Sequence, residues 1–304
     1  MTCQLRWIVN PGVSCLYAAN LVRSNLATGN QTLTEALEDP VRRLTHILTS
    51  ERVDVNRFFA AAISWAAAGA DAAILGEKAA SLAPSDGVTR TEVAERIAEA
   101  IRDLERAIAV LWPRLDYEVR LRERPLREQW EARGPGTLRR LEYLTGGEVA
   151  VPDAEVALVQ PCLGGGGVAY PAFHIVCMEA LLANPWATLP EPVRLAWFLA
   201  QLSFGAQKAE SAAAPGRRAI WALATIPLVL EAAEYVEWTQ YHAQTLSLAL
   251  EQWPQAELND GADRLTLAAL LESWRDDWRA RTSEWSLAVD DLERRIAEAD
   301  IRCE

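Results

Sequence analysis

The chain has 304 residues, half of them apolar, with 12 tryptophans and a formal net charge of −12. That apolar and aromatic content excludes a disordered chain, which cannot offset its ordering entropy by burial. The acidic balance argues against nucleic acid and against an anionic membrane surface, both of which select basic patches.

Such a length makes one large domain or two ordinary ones. No linker forces a division, so the reading is a single α-dominated domain over 1–304. The one available subdivision separates a helical part, 1–146, from 147–304, which holds a small β element and the C-terminal helices. The first 40 residues read as irregular, with Asn10-Pro11-Gly12 and Thr28-Gly29-Asn30 as turn signals. Arg6 followed by that Pro-Gly break is not a secretory signal. Asp39-Pro40 has the pattern of an N-cap followed by proline at the first helical position, which predicts a helix start there. Asp54 opens the next helix, about 55–82, whose Ala-rich middle suits a central place in a bundle.

Thr89 and Glu92 have capping-box spacing. Behind them Val93, Ile97, Ile101, Leu104, Ile108 and Leu111 form one apolar stripe at helical period, opposite a charged face. Pro113 stops that helix. Residues 117–123 alternate apolar and charged, which fits a short strand or more helix. A helix is expected over 125–144 with a break at Gly134-Pro135-Gly136. Val149, Val151, Val156, Leu158 and Val159 have strand character, and so does 173–178, giving a hairpin or small sheet near 148–180. From Leu189 the pattern is helical again: a helix from Pro190-Glu191-Pro192, two stretches over 216–253 with Pro227 as kink or boundary, then 262–283 and 285–301. The predicted fold class is therefore mainly α, a multi-helix orthogonal or bundle-like domain with a small β element near residues 148–180.

Two weakly charged stretches, 58–75 and 156–178, are interrupted by Gly, Asp or Pro. They fall short of the roughly 20 apolar helical residues a membrane span needs. Five cysteines, at 3, 15, 162, 177 and 303, form no CxxC pair. That fits reduced thiols in a cytoplasmic protein better than a secreted disulfide framework or a zinc site.

The tetraglycine Gly164, Gly165, Gly166, Gly167 is the most conspicuous local feature. With Ala169 it satisfies a loose dinucleotide fingerprint, which needs glycine so that backbone amides can approach pyrophosphate at a helix N-terminus. Pro171 sits where that helix should begin, and no acidic residue closes a second strand. A hairpin tip or lid, using the positive φ open to glycine, fits better. With His174 and Glu179 these glycines are the candidate ligand-binding residues. No HExxH or ExxH occurs, so the strong metal signatures are absent and no cofactor is expected. Glu231, Glu234, Glu237 and His242 lie along one stretch, but His242 falls about 80° around a helix from Glu234, which suits a solvated acidic face. Glu128, Glu131 and Arg133 read as surface ion pairing. No nucleophile elbow or catalytic cysteine context is present.

Leu267, Leu271, Trp274, Trp278 and Trp285 keep helical spacing. They pack as core in one reading. In the other they form a groove or dimer face, because Trp is enriched at interface hot spots. Two functions follow. One is a non-enzymatic helical protein acting through an unknown protein partner or self-association, without nucleic acid or membrane. The alternative is a degenerate metallopeptidase-like protein that keeps a peptide or ligand cleft but lacks zinc ligands. The second requires 155–160 and 173–178 to pair in one sheet beside a cleft floored by a 190–204 helix. The first requires an exposed apolar patch at the Trp274 stripe.

Overall fold

A computed structural model describes residues 3–26, 30–84, 87–181, 184–207, 215–253, 263–281 and 284–301. The chain is mainly helical, about 70% helix, with one small four-stranded sheet. No helix among the described residues is long and apolar enough to cross a membrane.

The sheet begins earlier than the sequence suggests. Strand β1 (Gln4–Val9) pairs in parallel with β2 (Asp153–Val159), Trp7 opposite Val156. Strand β2 pairs in parallel with β4 (Ile175–Glu179), and β3 (Gly167–Tyr170) closes the edge antiparallel to β4. The spatial order is β1-β2-β4-β3. Residues 155–159 and 175–179 thus do pair, but only β3 and β4 form a hairpin. Val149 and Val151 lie before β2, outside any strand. The continuous burial of Val156, Ala157, Leu158 and Val159 is that of a parallel strand covered on both faces.

Asn10-Pro11-Gly12 is a helix start and not a loop. The Asn10 side chain accepts the Gly12 N–H at 2.8 Å, and proline occupies the first turn of α1 (Pro11–Arg23). That is where a missing N–H costs nothing. Helix α2 (Gln31–Ser50) is likewise capped by Asn30, so Asp39-Pro40 lies inside it, with Asp39 ion-paired to Arg42. The Ala-rich segment is two helices, α3 (Val55–Ala67) and α4 (Ala72–Ala80). Gly69, at φ +93°, turns the chain between them, and Asp71 caps α4 through the Ile74 N–H. Helix α5 (Gly87–Leu111) starts ahead of Thr89, so Thr89 and Glu92 lie within the helix rather than at its cap. It packs closely on α4: a Cβ at Gly76 would come within 2.3 Å of the Ala94 carbonyl. The predicted stripe from Val93 to Ile108 is buried.

Helix α6 (Leu115–Leu144) absorbs 117–123 and runs unbroken through Pro125 and Pro135. The centre of the molecule is the pair α7 (Glu191–Gln207) and α8 (Pro215–Tyr235), not the Ala-rich segment. Nearly every side chain from Val193 to Ser203 and from Ala219 to Ala233 is buried, and α8 passes through Pro227. Helices α9 (Ala243–Gln252), α10 (Arg264–Arg281) and α11 (Trp285–Glu298) finish the chain. α1, α6 and α7 pack on the sheet, and α9, α10 and α11 pack on α8 or on one another.

Candidate functional site

The tetraglycine leads from β2 into β3, and the N–H groups of Gly165 and Gly166 turn inward onto one carboxylate. Glu179, the last residue of β4, has no exposed surface. Its Oε1 accepts the N–H of Cys162 and of Leu163, each at 2.8 Å, and the Tyr17 hydroxyl at 3.3 Å. Its Oε2 accepts the N–H of Gly165 at 2.8 Å and of Gly166 at 3.0 Å. Successive amides facing one point form an anion-binding nest. Here the anion is the chain's own. Arg194 of α7 completes the arrangement from the carbonyl side. It donates to the carbonyls of Gly165, Gly166 and Glu179 and pairs with Glu191. Burial, then the Glu179 charge, pushes the Tyr17 phenol well above its ordinary range. Burial raises the Glu191 carboxyl against the opposing pull of Arg194.

The glycines divide their work. Gly164 and Gly165 hold φ of +81° and +139°, which side-chain-bearing residues rarely adopt. Gly166 and Gly167 leave room for neighbours: a Cβ at 167 would lie 2.5 Å from Phe198 Cζ of α7. Of the candidate ligand residues, the structure brings the four glycines and Glu179 together and leaves His174 apart. His174 is exposed at the opposite end of β4, in a left-handed conformation (φ +51°) that closes the β3–β4 connection. Its carbonyl accepts the Glu155 N–H. The thiols of Cys15, Cys162 and Cys177 are buried and those of Cys3, Cys15, Cys162 and Cys177 are free; Cys303 lies outside the described residues.

The tryptophan stripe is core, which corrects the interface reading. Leu267, Leu271, Trp274, Trp278 and Trp285 are all buried. Trp274 stacks on Trp278 at 5.9 Å, and Trp285 meets Trp221 of α8 edge-on at 5.5 Å. The Trp274 indole N–H donates to the Ala288 carbonyl of α11 at 2.8 Å. The stripe is covered because α8 and α11 present large apolar surfaces of their own, a pairing that helical periodicity alone does not disclose.

Beside this core a cavity of about 460 Å³ is lined by the end of α6, by α8, by the last turn of α10 and by the start of α11. Glu231 lines it, and its Oε2 accepts from Arg279 at 2.9 Å while its Oε1 lies 3.6 Å from Arg140. Arg140 in turn sits 5.1 Å from the Tyr143 ring centre and 4.9 Å from that of Tyr235. Both tyrosines are well exposed, at 75% and 67%. Sequence reading missed this site because its parts come from four separate stretches. Glu234, Glu237 and His242 line a different hollow, where Glu234 accepts the Tyr241 N–H and His242 caps α9 through the Thr245 N–H. Glu128 and Glu131 pair with Arg124 and Arg127, while Arg133 donates to the Val236 and Glu237 carbonyls at the end of α8. Among the described residues no three His, Cys, Asp or Glu side chains gather as a metal site. No protein family matches the chain, and no curated protein or solved structure matches it.

Proposed function

We propose that the protein works by binding a protein partner rather than by catalysis, through the face formed by Tyr143, Arg140 and Tyr235. One observation carries this reading. Two exposed tyrosines each have their ring centre about 5 Å from the Arg140 guanidinium, and one of them, Tyr143, lines a cavity that Trp278 and Trp285 also line. Tyr, Trp and Arg are the residues that dominate binding energy at interfaces, and a guanidinium braced by rings and a carboxylate loses little freedom on docking. A photo-crosslinking side chain at position 143 or 235 in the host cell should capture one adduct of discrete mass. The same group at Val110, exposed on α5, should not. Absence of an adduct at both tyrosines, or equal adducts at all three positions, overturns the reading.

A second reading, a degenerate peptidase-like scaffold, is favoured by topology. β2 and β4 pair, β3 is an antiparallel edge strand, and α7 lies against β3. In zinc peptidases of that arrangement the helix carries HExxH, whereas residues 193–201 supply no metal ligand. The analogy is one of fold level only. Arg218 donates to the Ala169 carbonyl of β3, which covers part of the edge a peptide would use. Four cavities, beside α8, α9, α1 and α4, take no lining residue from β3 or α7. Hydrolysis of an unstructured peptide by the zinc-loaded protein would overturn both readings.

A further inference from the structure

The sheet has two edges, and they are finished differently. The β3 edge is only four residues long, and Arg218 donates to its Ala169 carbonyl. The β1 edge is six residues long. The Gln4 N–H donates to the Pro152 carbonyl just before β2. Backbone direction alternates along a strand, so Gln4, Arg6 and Ile8 bond toward β2 while the N–H and C=O of Leu5, Trp7 and Val9 point away from it. Among the described residues nothing outside the β1–β2 ladder hydrogen-bonds to those groups.

A row of unpaired backbone groups is a template for another strand, and folded proteins blunt it with proline, bulges or charges along the edge. β1 contains no proline, and its register with β2 is unbroken. Its one charge, Arg6, is turned onto Glu155 of β2.

The strand is also self-complementary, because its outward-facing residues are symmetric about Trp7. When two copies run antiparallel about a two-fold axis at Trp7, Leu5 of one faces Val9 of the other and Trp7 faces Trp7. These are hydrogen-bonded pairs, each exchanging both N–H···O bonds. The three side chains lie on one face of the sheet, apolar and only half-buried. The pairing therefore sets aromatic against aromatic and aliphatic against aliphatic, the combinations that stabilise a sheet. Arg6 falls opposite Ile8, so no like charges meet. Any extended segment supplies the backbone bonds, but a second copy supplies the side-chain match as well.

We propose that the protein forms a two-fold dimer in which β1 pairs antiparallel with β1 of a second copy, joining the two four-stranded sheets into one. This surface is separate from the Tyr143 and Tyr235 face, and each stands without the other.

Sedimentation equilibrium of the full chain should approach twice the chain mass as concentration rises. Leu5→Pro deletes an outward N–H in each copy and no bond to β2, the one place a strand accepts proline. It should weaken the dimer about tenfold or more, with far-UV circular dichroism unchanged. Register is read by cysteine cross-linking in a Cys3→Ser, Cys303→Ser background. Hydrogen-bonded antiparallel partners have Cα atoms about 5.5 Å apart, within disulfide reach. Under mild oxidation Trp7→Cys should link to itself, whereas Leu5→Cys and Val9→Cys should each stay unlinked alone and link when mixed. If Leu5→Pro disturbs the fold, the cysteine pattern decides. A monomer at every concentration overturns the proposal. So does a dimer that a folded Leu5→Pro leaves intact, or cross-linking that ignores this register. None of these results bears on partner capture at Tyr143, so the two readings fail separately.

Discussion

Replacing Glu179 tests whether the glycine loop is held from inside. Its carboxylate receives four backbone N–H groups at 2.8 to 3.0 Å and a phenol at 3.3 Å. Hydrogen bonds to a charged group contribute about 1.5–3 kcal/mol each, so the four amides sum to about 6–12 kcal/mol if nothing relaxes. Leu163 and Gly165 are only half-buried, so water can rescue part of the loop. Removing one partner of a buried charged network typically costs about 3–5 kcal/mol, and that is the expected loss for Glu179→Ala. Glu179→Gln keeps the shape but turns an N–H₂ toward two backbone donors, so about 3 kcal/mol of loss is expected. Equilibrium urea unfolding measures both, as a lower midpoint with an unchanged slope. Arg194→Lys keeps the charge but not the fork that serves three carbonyls. Combined with Glu179→Gln it should lose less than the two single losses added, because both act on one loop. A Glu179→Gln midpoint within about 0.5 kcal/mol of the parent, the usual range for surface changes, would refute the reasoning and reopen the loop amides to an outside anion.

Three further outcomes follow from the geometry. Gly167→Ala puts a methyl 2.5 Å from Phe198 Cζ and 2.7 Å from the Cys177 carbonyl. Overpacking of this kind costs about 1–3 kcal/mol, and Phe198→Leu should recover only the ring's share, read by thermal unfolding of both variants. Asp71→Ala removes the cap on α4 and should cost about 1 kcal/mol, with faster amide exchange at Ile74 and Leu75 and no change in α5. Burial raises the Glu105 carboxyl above its ordinary 4.5. A folded-state value above the unfolded one gives stability that is present at low pH and lost as pH rises through the folded value. Glu105→Gln should therefore flatten the fall in urea midpoint from about pH 4.5 toward neutrality, and parallel pH profiles for variant and parent would refute the assignment.

Much of the helical framework was legible in the residues themselves. The stripe from Val93 to Ile108 repeats at helical period, and its burial follows directly. Pro190-Glu191-Pro192 and the spacing of Leu267, Leu271, Trp274 and Trp278 likewise announce helices at α7 and α10. Proline and glycine misled where context overrides local preference. Pro40, Pro125, Pro135 and Pro227 all sit inside helices, each giving up one backbone bond that packing on neighbours offsets. Asn10-Pro11-Gly12 reads equally as a turn or as a capped helix start, and only the strand before it decides.

What the sequence determined, then, is the class: local spacing dictates which segments coil and which face of each is apolar. What the tertiary structure decided is everything that depends on residues far apart. Strand β1 pairs with a strand about 150 positions later: Arg6 meets Glu155 across 149 residues. No local pattern in six residues encodes that partner. The tetraglycine advertises a close backbone approach without saying to what, and the answer is Glu179, 13 and 14 residues downstream of the two glycines it binds. The Trp274 stripe advertises an apolar contact without saying whether α8 and α11 or another molecule supplies it. The physical reason is the same in each case. A side chain's own helix or strand fixes its direction, but which group meets it, and whether water is excluded there, is settled only when distant segments pack.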